Sequence, residues 1–191
     1  MAVKRDTKNQ ILDIAEALLQ ERGFHAFSYQ HIASKLGVKN AAIHYHYPSK
    51  NDLAVALVAR YRHRFGRWSE NLAKENALPW ACFESYIDTC RYLIESNKIC
   101  VLGMMAAEFN TMAEEVQREI QLLQDEVVTY FSELLQRGQE QGEFYFLGEP
   151  AHKALVLTCQ LQGAMQFTQV KGSGVFNTVV DQLRAEFKPR S

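Results

Sequence analysis

Two stretches of this 191-residue chain carry side chains whose types and spacing can do chemistry. The first runs from Ser28 to Leu53, SYQHIASKLGVKNAAIHYHYPSKNDL. Within it Lys39 and Asn40 can read purine edges through hydrogen bonds, while Ala41 and Ala42 can pack on a thymine methyl and allow close approach to a groove. Ser28, where it opens a helix, can offer a hydroxyl and a backbone N–H to a phosphate, and Tyr45 and His46 can reach the same backbone. The second stretch surrounds Cys100, a thiol two residues from Lys98. A nearby cation or a helix N-terminus favours the reactive thiolate. Patterns for catalysis are missing. The sequence has no glycine-rich phosphate loop, no nucleophile elbow, no HExxH and no paired carboxylates with a base nearby. Glu114 and Glu115 are adjacent, and sequence neighbours do not share a helix face. The four cysteines, Cys82, Cys90, Cys100 and Cys159, make no CxxC pair and have no histidine at zinc-ligand spacing. The expectation is a protein without metal, cofactor or catalytic activity.

Positioning these side chains requires helices, and the sequence supplies them. Thr7-Lys8-Asn9-Gln10 reads as a capping box, followed by Ile11, Ala15, Leu18 and Leu19 at helical spacing and stopped by Gly23. Ser28 can cap a second helix with Ile32, Ala33 and Leu36 facing inward, ended by Gly37. A third, short helix is expected over residues 40–46, before Pro48. Together these have the form of a helix-turn-helix: a two-turn helix, a tight turn that needs φ > 0 at Gly37, and a second helix for the major groove. Ala33 is small enough to let the two helices cross, and Val38 and Ile43 would pack the second onto the first.

The rest of the chain continues as helix. Ser49-Lys50-Asn51-Asp52 starts a long fourth one with the stripe Leu53, Leu57, Tyr61, Phe65, Trp68 and Leu72. Pro79 suits the first turn of a fifth. An apolar segment around Gly103 follows. Thr111 to Glu114 reads as a capping box for a long helix closed by Gly138 and Gly142; Glu149-Pro150 opens the next, and residues 175–187 form the last. The expected fold class is all-α, with about nine helices: an N-terminal three-helix helix-turn-helix domain over residues 1–50, and a helical ligand-binding and dimerisation bundle over 51–191.

Charge is distributed in the same sense. Net charge is −1, yet residues 1–67 carry eleven Lys/Arg against five Asp/Glu, a net of +6, and the remainder carries −7. A basic end on an acidic body is the asymmetry expected where one end meets a polyanion. Arg60, Arg62, Arg64 and Arg67 on the fourth helix read as a solvated face. No apolar run reaches the ~18 residues that span a bilayer, and the first residues have no signal-peptide core, so a cytoplasmic protein with no membrane partner is expected.

The stretch 28–53 resembles the DNA-reading unit of the TetR family, S/T-x-x-x-I-A-x-x-x-G-V-x-x-x-x-x-Y-x-H-F-x-x-K-x-x-L, through Ser28, Ile32-Ala33, Gly37-Val38, His46, Tyr47, Lys50 and Leu53, with Gly23-Phe24 before it. Two positions depart from the pattern. Lys39 stands where the family has Ser or Thr, leaving Asn40 as the alternative cap, and His44 stands where it has Tyr. The resemblance implies DNA contacts by Ser28, Tyr29, Lys39, Asn40, Ala41, Ala42, His44, Tyr45, His46 and Lys50, with double-stranded operator DNA as partner. It also implies a homodimer that presents two recognition helices to a palindrome, and release of DNA by a small-molecule effector.

In the body, Met104, Met105, Phe109, Tyr86, Tyr130 and Phe131 could line an effector pocket, with simple core packing as the other reading of each. Ile99 to Glu108, ICVLGMMAAE, resembles the C-L-x-G-x-x-A-A-E segment of a TetR subgroup, some of whose members respond to electrophiles or oxidants through this cysteine. That makes Cys100 a sensor candidate, beside the alternative of a buried inert thiol; Cys90 and Cys159 read as core. Dimerisation is expected from the last two helices, through Leu155, Cys159, Gln162, Gly163 and Gln166 and through Val175, Val179, Leu183 and Phe187. The competing reading of the whole chain is a helical small-molecule-binding protein without DNA activity.

Overall fold

Helices form where the periodicity places them. The computed structural model describes residues 6–98 and 100–187; Lys4 and Arg5 of the basic end, and Ile99 of the cysteine segment, lie outside the described residues. Among these there are nine α-helices: α1 (Thr7–Arg22), α2 (Tyr29–Leu36), α3 (Asn40–His46), α4 (Lys50–Lys74), α5 (Pro79–Glu95), α6 (Val101–Ala107), α7 (Glu114–Glu140), α8 (Pro150–Lys171) and α9 (Gly174–Phe187), with a 3₁₀ turn at Phe109–Thr111. The all-α expectation holds.

Several caps differ from the sequence reading. Asp6, not Thr7, caps α1: its carboxylate accepts from Lys8 N at 3.1 Å and faces Asn9 Nδ2. Thr111 does not open α7, because its hydroxyl donates to Glu108 O at 2.6 Å within the 3₁₀ turn. Ser49 does open α4, through a reciprocal pair: Ser49 N donates to Asp52 Oδ2 and Asp52 N to Ser49 Oγ. Gly138 lies inside α7 rather than at its end.

The chain gathers into two compact units. Of the described residues, the first holds 6–63 together with Val101–Leu123; the second holds 64–98, Cys100 and 124–187. The first unit's core is Ile11, Ala15, Leu18 and Leu19 from α1, Ile32 from α2, Ile43 from α3, and Leu53 and Leu57 from α4, with Val101, Met105, Val116 and Ile120 also buried. The second unit's core is aromatic. Phe83, Phe144 and Phe187 meet edge to face or tilted, and Trp68, Tyr86, Tyr130 and Phe131 form a second group of rings. Such pairs add about 0.5–1.5 kcal/mol each beyond the area they bury. Among the described residues, no helix is long and apolar enough to cross a membrane.

Candidate nucleic-acid interface

The reading unit is built from α2, its turn and α3. Ser28 precedes α2 in extended backbone and its N–H donates to His31 Nδ1 at 3.1 Å. Gly37 ends α2 in the left-handed conformation, φ 72°, ψ 31°, and Val38 N returns to Ala33 O at 3.1 Å. A side chain at Gly37 would strain this turn, which sets the angle at which α3 leaves. Ile43 is fully buried and Tyr47 nearly so; these two, not Val38, which is exposed, hold α3 against the unit.

With Ile43 inward, the opposite side of α3 faces outward. Ser28, Lys39, Asn40, Ala41, His44 and Tyr45 are exposed, while Ala42 and His46 are half-buried. Tyr45 is 83% exposed, unusual for a large ring, and stands edge-on to His46 at 5.1 Å. Lys39 occupies the N-cap position of α3 and no side chain caps it, so Asn40 is left to project from the first turn instead of capping. His44 Nδ1 is 3.1 Å from Pro48 O and its ring meets Tyr29 edge-on at 4.7 Å.

Two of the expected contacts point the other way. Tyr29 is buried, and its hydroxyl proton is shared by two carbonyls, Tyr47 O at 2.8 Å and Ser49 O. Burial, helped by the charge of Asp52, holds that phenol well above its ordinary pKa, so it stays a neutral donor. Tyr47 likewise donates to Lys8 O, and burial with the charge of Asp6 pushes its pKa up to about 12. Lys50 turns inward: its ammonium donates to Phe24 O and Phe27 O, each at 2.5 Å, and lies 4.5 Å above both rings. Burial lowers its pKa, and the charge of Glu108 works against that fall. The sequence motif placed Tyr29 and Lys50 at DNA; these contacts give Tyr29 the task of tying the start of α2 to the turn between α3 and α4, and Lys50 that of tying the start of α4 to the loop after α1. Four arginines expected on a solvated face include two that are engaged here, Arg60 with Asp13 and Glu16, and Arg62 with Glu119 at 2.7 Å.

Residues 11–57, which span this unit, match the family described as bacterial regulatory proteins, tetR family. The reading unit is similar to that of the TetR family. The likeness extends beyond the match. The chain is 24% identical to the HTH-type transcriptional repressor NemR of Escherichia coli (strain K12) over 165 residues, 84% of this chain and 83% of that one. Its fold superposes with a TM-score of 0.90 on a TetR-family transcriptional regulator from Agrobacterium tumefaciens, 26% identical, covering 95% of this chain and 97% of that one. The reduced form of E. coli NemR superposes at 0.83 with 20% identity over 95% and 97% of the two chains. The family consists of transcriptional regulators, not enzymes.

The sensor candidates fall in both compact units. Met104, Met105 and Phe109 belong to the first unit, and Cys100, Tyr86 and Phe131 to the second. Met105 and Phe131 are fully buried, and Tyr86 packs edge-on to Phe131 at 4.8 Å. Burial and the neighbouring Cys90 and Cys100 keep the Tyr86 phenol far above its ordinary pKa. A cleft of about 320 Å³ opens in the second unit, lined by Ser69, Glu70, Cys82, Tyr130, Glu133 and Arg137 among others, and none of the six candidates lines it. Tyr130, named from the sequence, does line it. Glu70 and Arg137 carried no signal, since charged residues on an amphipathic helix read as solvated.

The thiols differ from one another. Cys90 is buried and burial pushes its pKa far up, so it is inert at neutral pH. Cys82 is buried against Ala77 O at 3.6 Å. Cys100 is half-buried and directly precedes α6. Cys159 is exposed, against the expectation of core. On α9, Leu183 and Phe187 are fully buried within the second unit and so are not available to a partner; Val175 and Val179 are half-buried. On α8, Leu155, Cys159 and Gln166 are exposed, Gln162 and Gly163 half-buried, and the large exposed side chains Val156, Phe167 and Val170 join them.

Proposed function

We propose that this chain is a repressor that binds palindromic operator DNA as a homodimer and releases it when a small molecule occupies the body or Cys100 is modified. The observation that carries the reading is the outward face of α3. Lys39, Asn40, Ala41, His44 and the 83%-exposed Tyr45 project together from a helix whose other side is anchored by Ile43 and Tyr47. Lys39 and Asn40 would meet base edges, Ala41 and Ala42 would allow the helix into the groove, and Ser28, His44, Tyr45 and His46 would hold phosphates. Tyr29 and Lys50 would serve the same interface by fixing its shape. A domain boundary near residue 50 fits this division of labour, with α4 leading from the reader into the body.

The dimer reading is supported by α8, where Phe167 is 59% and Val170 81% exposed, and large apolar side chains in such number on one helix mark an interaction surface. The effector reading is supported by the cleft near Tyr130, whose volume lies at the lower end of the ~300–1,000 Å³ typical of small-molecule sites. The thiol reading is supported by the half-buried Cys100 at the start of α6 and by the likeness to NemR, for which a reduced form is described. As a reader of chromosomal DNA the protein would work in the cytoplasm.

A gel-shift tests the proposal, using DNA selected from a random library by the purified wild-type protein, with and without a thiol-reactive electrophile, for wild type and Cys100→Ser. The expected result is a specific shift that the electrophile abolishes in wild type alone. A shift indifferent to the electrophile removes the thiol switch and leaves the repressor. Failure of selection to enrich any sequence rejects operator binding.

A further inference from the structure

The loop after α1 is held by opposite charges from two helices distant in sequence. Phe24 N donates to Glu108 Oε2 at 3.1 Å, and Phe24 O accepts from Lys50 Nζ at 2.5 Å. Both polar groups of one peptide residue thus end on charged side chains, a carboxylate at the end of α6 and an ammonium at the start of α4. Hydrogen bonds to charged groups are roughly twice as strong as neutral ones. Gly23 completes the arrangement. Its φ of +84° is open to glycine, and a Cβ there would lie 2.6 Å from Glu108 Oε1 and 3.4 Å from Met104 Cε, so the absent side chain is what lets Glu108 in. The next residue is tied as well. Thr111 gives its hydroxyl proton to Glu108 O and so accepts from His25 Nε2–H at 2.8 Å, while His25 Nε2 also lies 3.9 Å from Glu108 Oε2. All of these contacts lie within the first unit, which includes Val101–Leu123.

We propose that Glu108 is a positioning residue for DNA reading, through which α6 fixes the loop Gly23–Phe27 and with it the start of α2. With its carboxylate committed to Phe24 N, Glu108 would act on DNA through the loop rather than by contact. It sets the entry to the helix-turn-helix, whose first residue, Ser28, follows directly after Phe27. The carboxylate and Lys50 support each other: the charge of Glu108 offsets part of what burial costs the ammonium. The local clamp stands independently of the operator reading; its consequence for DNA rests on that reading.

The test measures hydrogen–deuterium exchange of the full-length protein, wild type against Glu108→Ala and Glu108→Gln. With alanine, the Phe24 amide should exchange on the order of tenfold faster, as expected from loss of one charge-assisted hydrogen bond. Residues 25–36 should follow, and residues 124–187 should stay as in wild type. With glutamine, whose amide oxygen can still accept from Phe24 N, protection should largely return. On selected DNA, the alanine variant should lose specific over non-specific affinity while the salt slope stays unchanged, since no phosphate contact is removed. Unchanged Phe24 exchange in the alanine variant overturns the proposal. So does an acceleration spread evenly over both units, which would make Glu108 a general stability residue. Should the wild type select no DNA, the operator reading fails and the exchange data still decide the clamp.

Discussion

Lys50 and Asn40 belong to one sequence motif and have opposite surroundings. Asn40 is exposed at the first turn of α3, whereas Lys50 is half-buried over the rings of Phe24 and Phe27 with two carbonyls as acceptors. A lysine in a DNA-binding motif is most simply read as a phosphate ligand, and the side-chain type alone does not separate that from a cation spent on the scaffold. The two roles differ in what they predict. Lys50→Ala should lower stability by about 1.5–3 kcal/mol, the range for hydrogen bonds to charged groups, because two buried carbonyls lose their donor. The salt dependence of DNA binding should keep its slope. Thermal unfolding and a salt titration of operator affinity check this: an unaltered melting curve with a slope reduced by about one would return Lys50 to the phosphate backbone.

Among the helices, α7 shows how one residue type serves two purposes. Gly138 looks like a helix terminator in the sequence, yet α7 continues past it to Glu140. A Cβ at Gly138 would lie 1.9 Å from Phe144 Cδ2. That ring cannot retreat, since Phe144 N is bonded to Gly138 O and the ring is surrounded by Trp80, Phe83 and Phe187. Gly138→Ala therefore sets a helix-propensity gain of about 1 kcal/mol against overpacking of about 1–3 kcal/mol or more, and the overpacking should win. Gly66, within α4, has nothing within 4 Å of its notional Cβ, so Gly66→Ala should stabilise by roughly 0.5–1 kcal/mol. Denaturant unfolding of the pair checks both signs. Equal effects from the two alanines would mean that the Phe144 contact does not constrain α7. Sequence does not distinguish the two cases at Gly138, because a glycine near a helix end looks the same whether it supplies a positive φ or a gap for a distant ring.

For the molecule as a whole, the exposed apolar side chains of α8 are the feature a lone chain leaves unexplained. Leu155, Val156, Phe167 and Val170 are all at least 46% exposed. With α8 as the dimer contact, Phe167→Glu should give a monomer by sedimentation while leaving the helical content by circular dichroism intact, because Phe167 contributes little to its own unit's core. The monomer should also lose affinity for a palindrome far more than for a single half-site. A Phe167→Glu protein that sediments as wild type would move the interface elsewhere.

Which segments are helices, and where the helix-turn-helix lies, can be read from the residues alone. These follow from local rules: helical spacing of apolar residues, Gly37 where φ must be positive, Pro79 and Pro150 at first turns. The sequence also placed Ile43, Leu53 and Leu57 in the core, since a fixed period assigns a face once the helix is known. Only the tertiary structure decided where the long polar side chains end. Lys50 turned inward, Tyr29 bonded two carbonyls, Glu108 reached Phe24 N from 84 residues away, Cys159 stayed exposed and Phe187 was buried. A flexible charged side chain can satisfy its hydrogen bonds with water, with nucleic acid or with a backbone carbonyl. The choice among them is set by which backbone groups distant segments bring within reach, and periodicity carries no record of that.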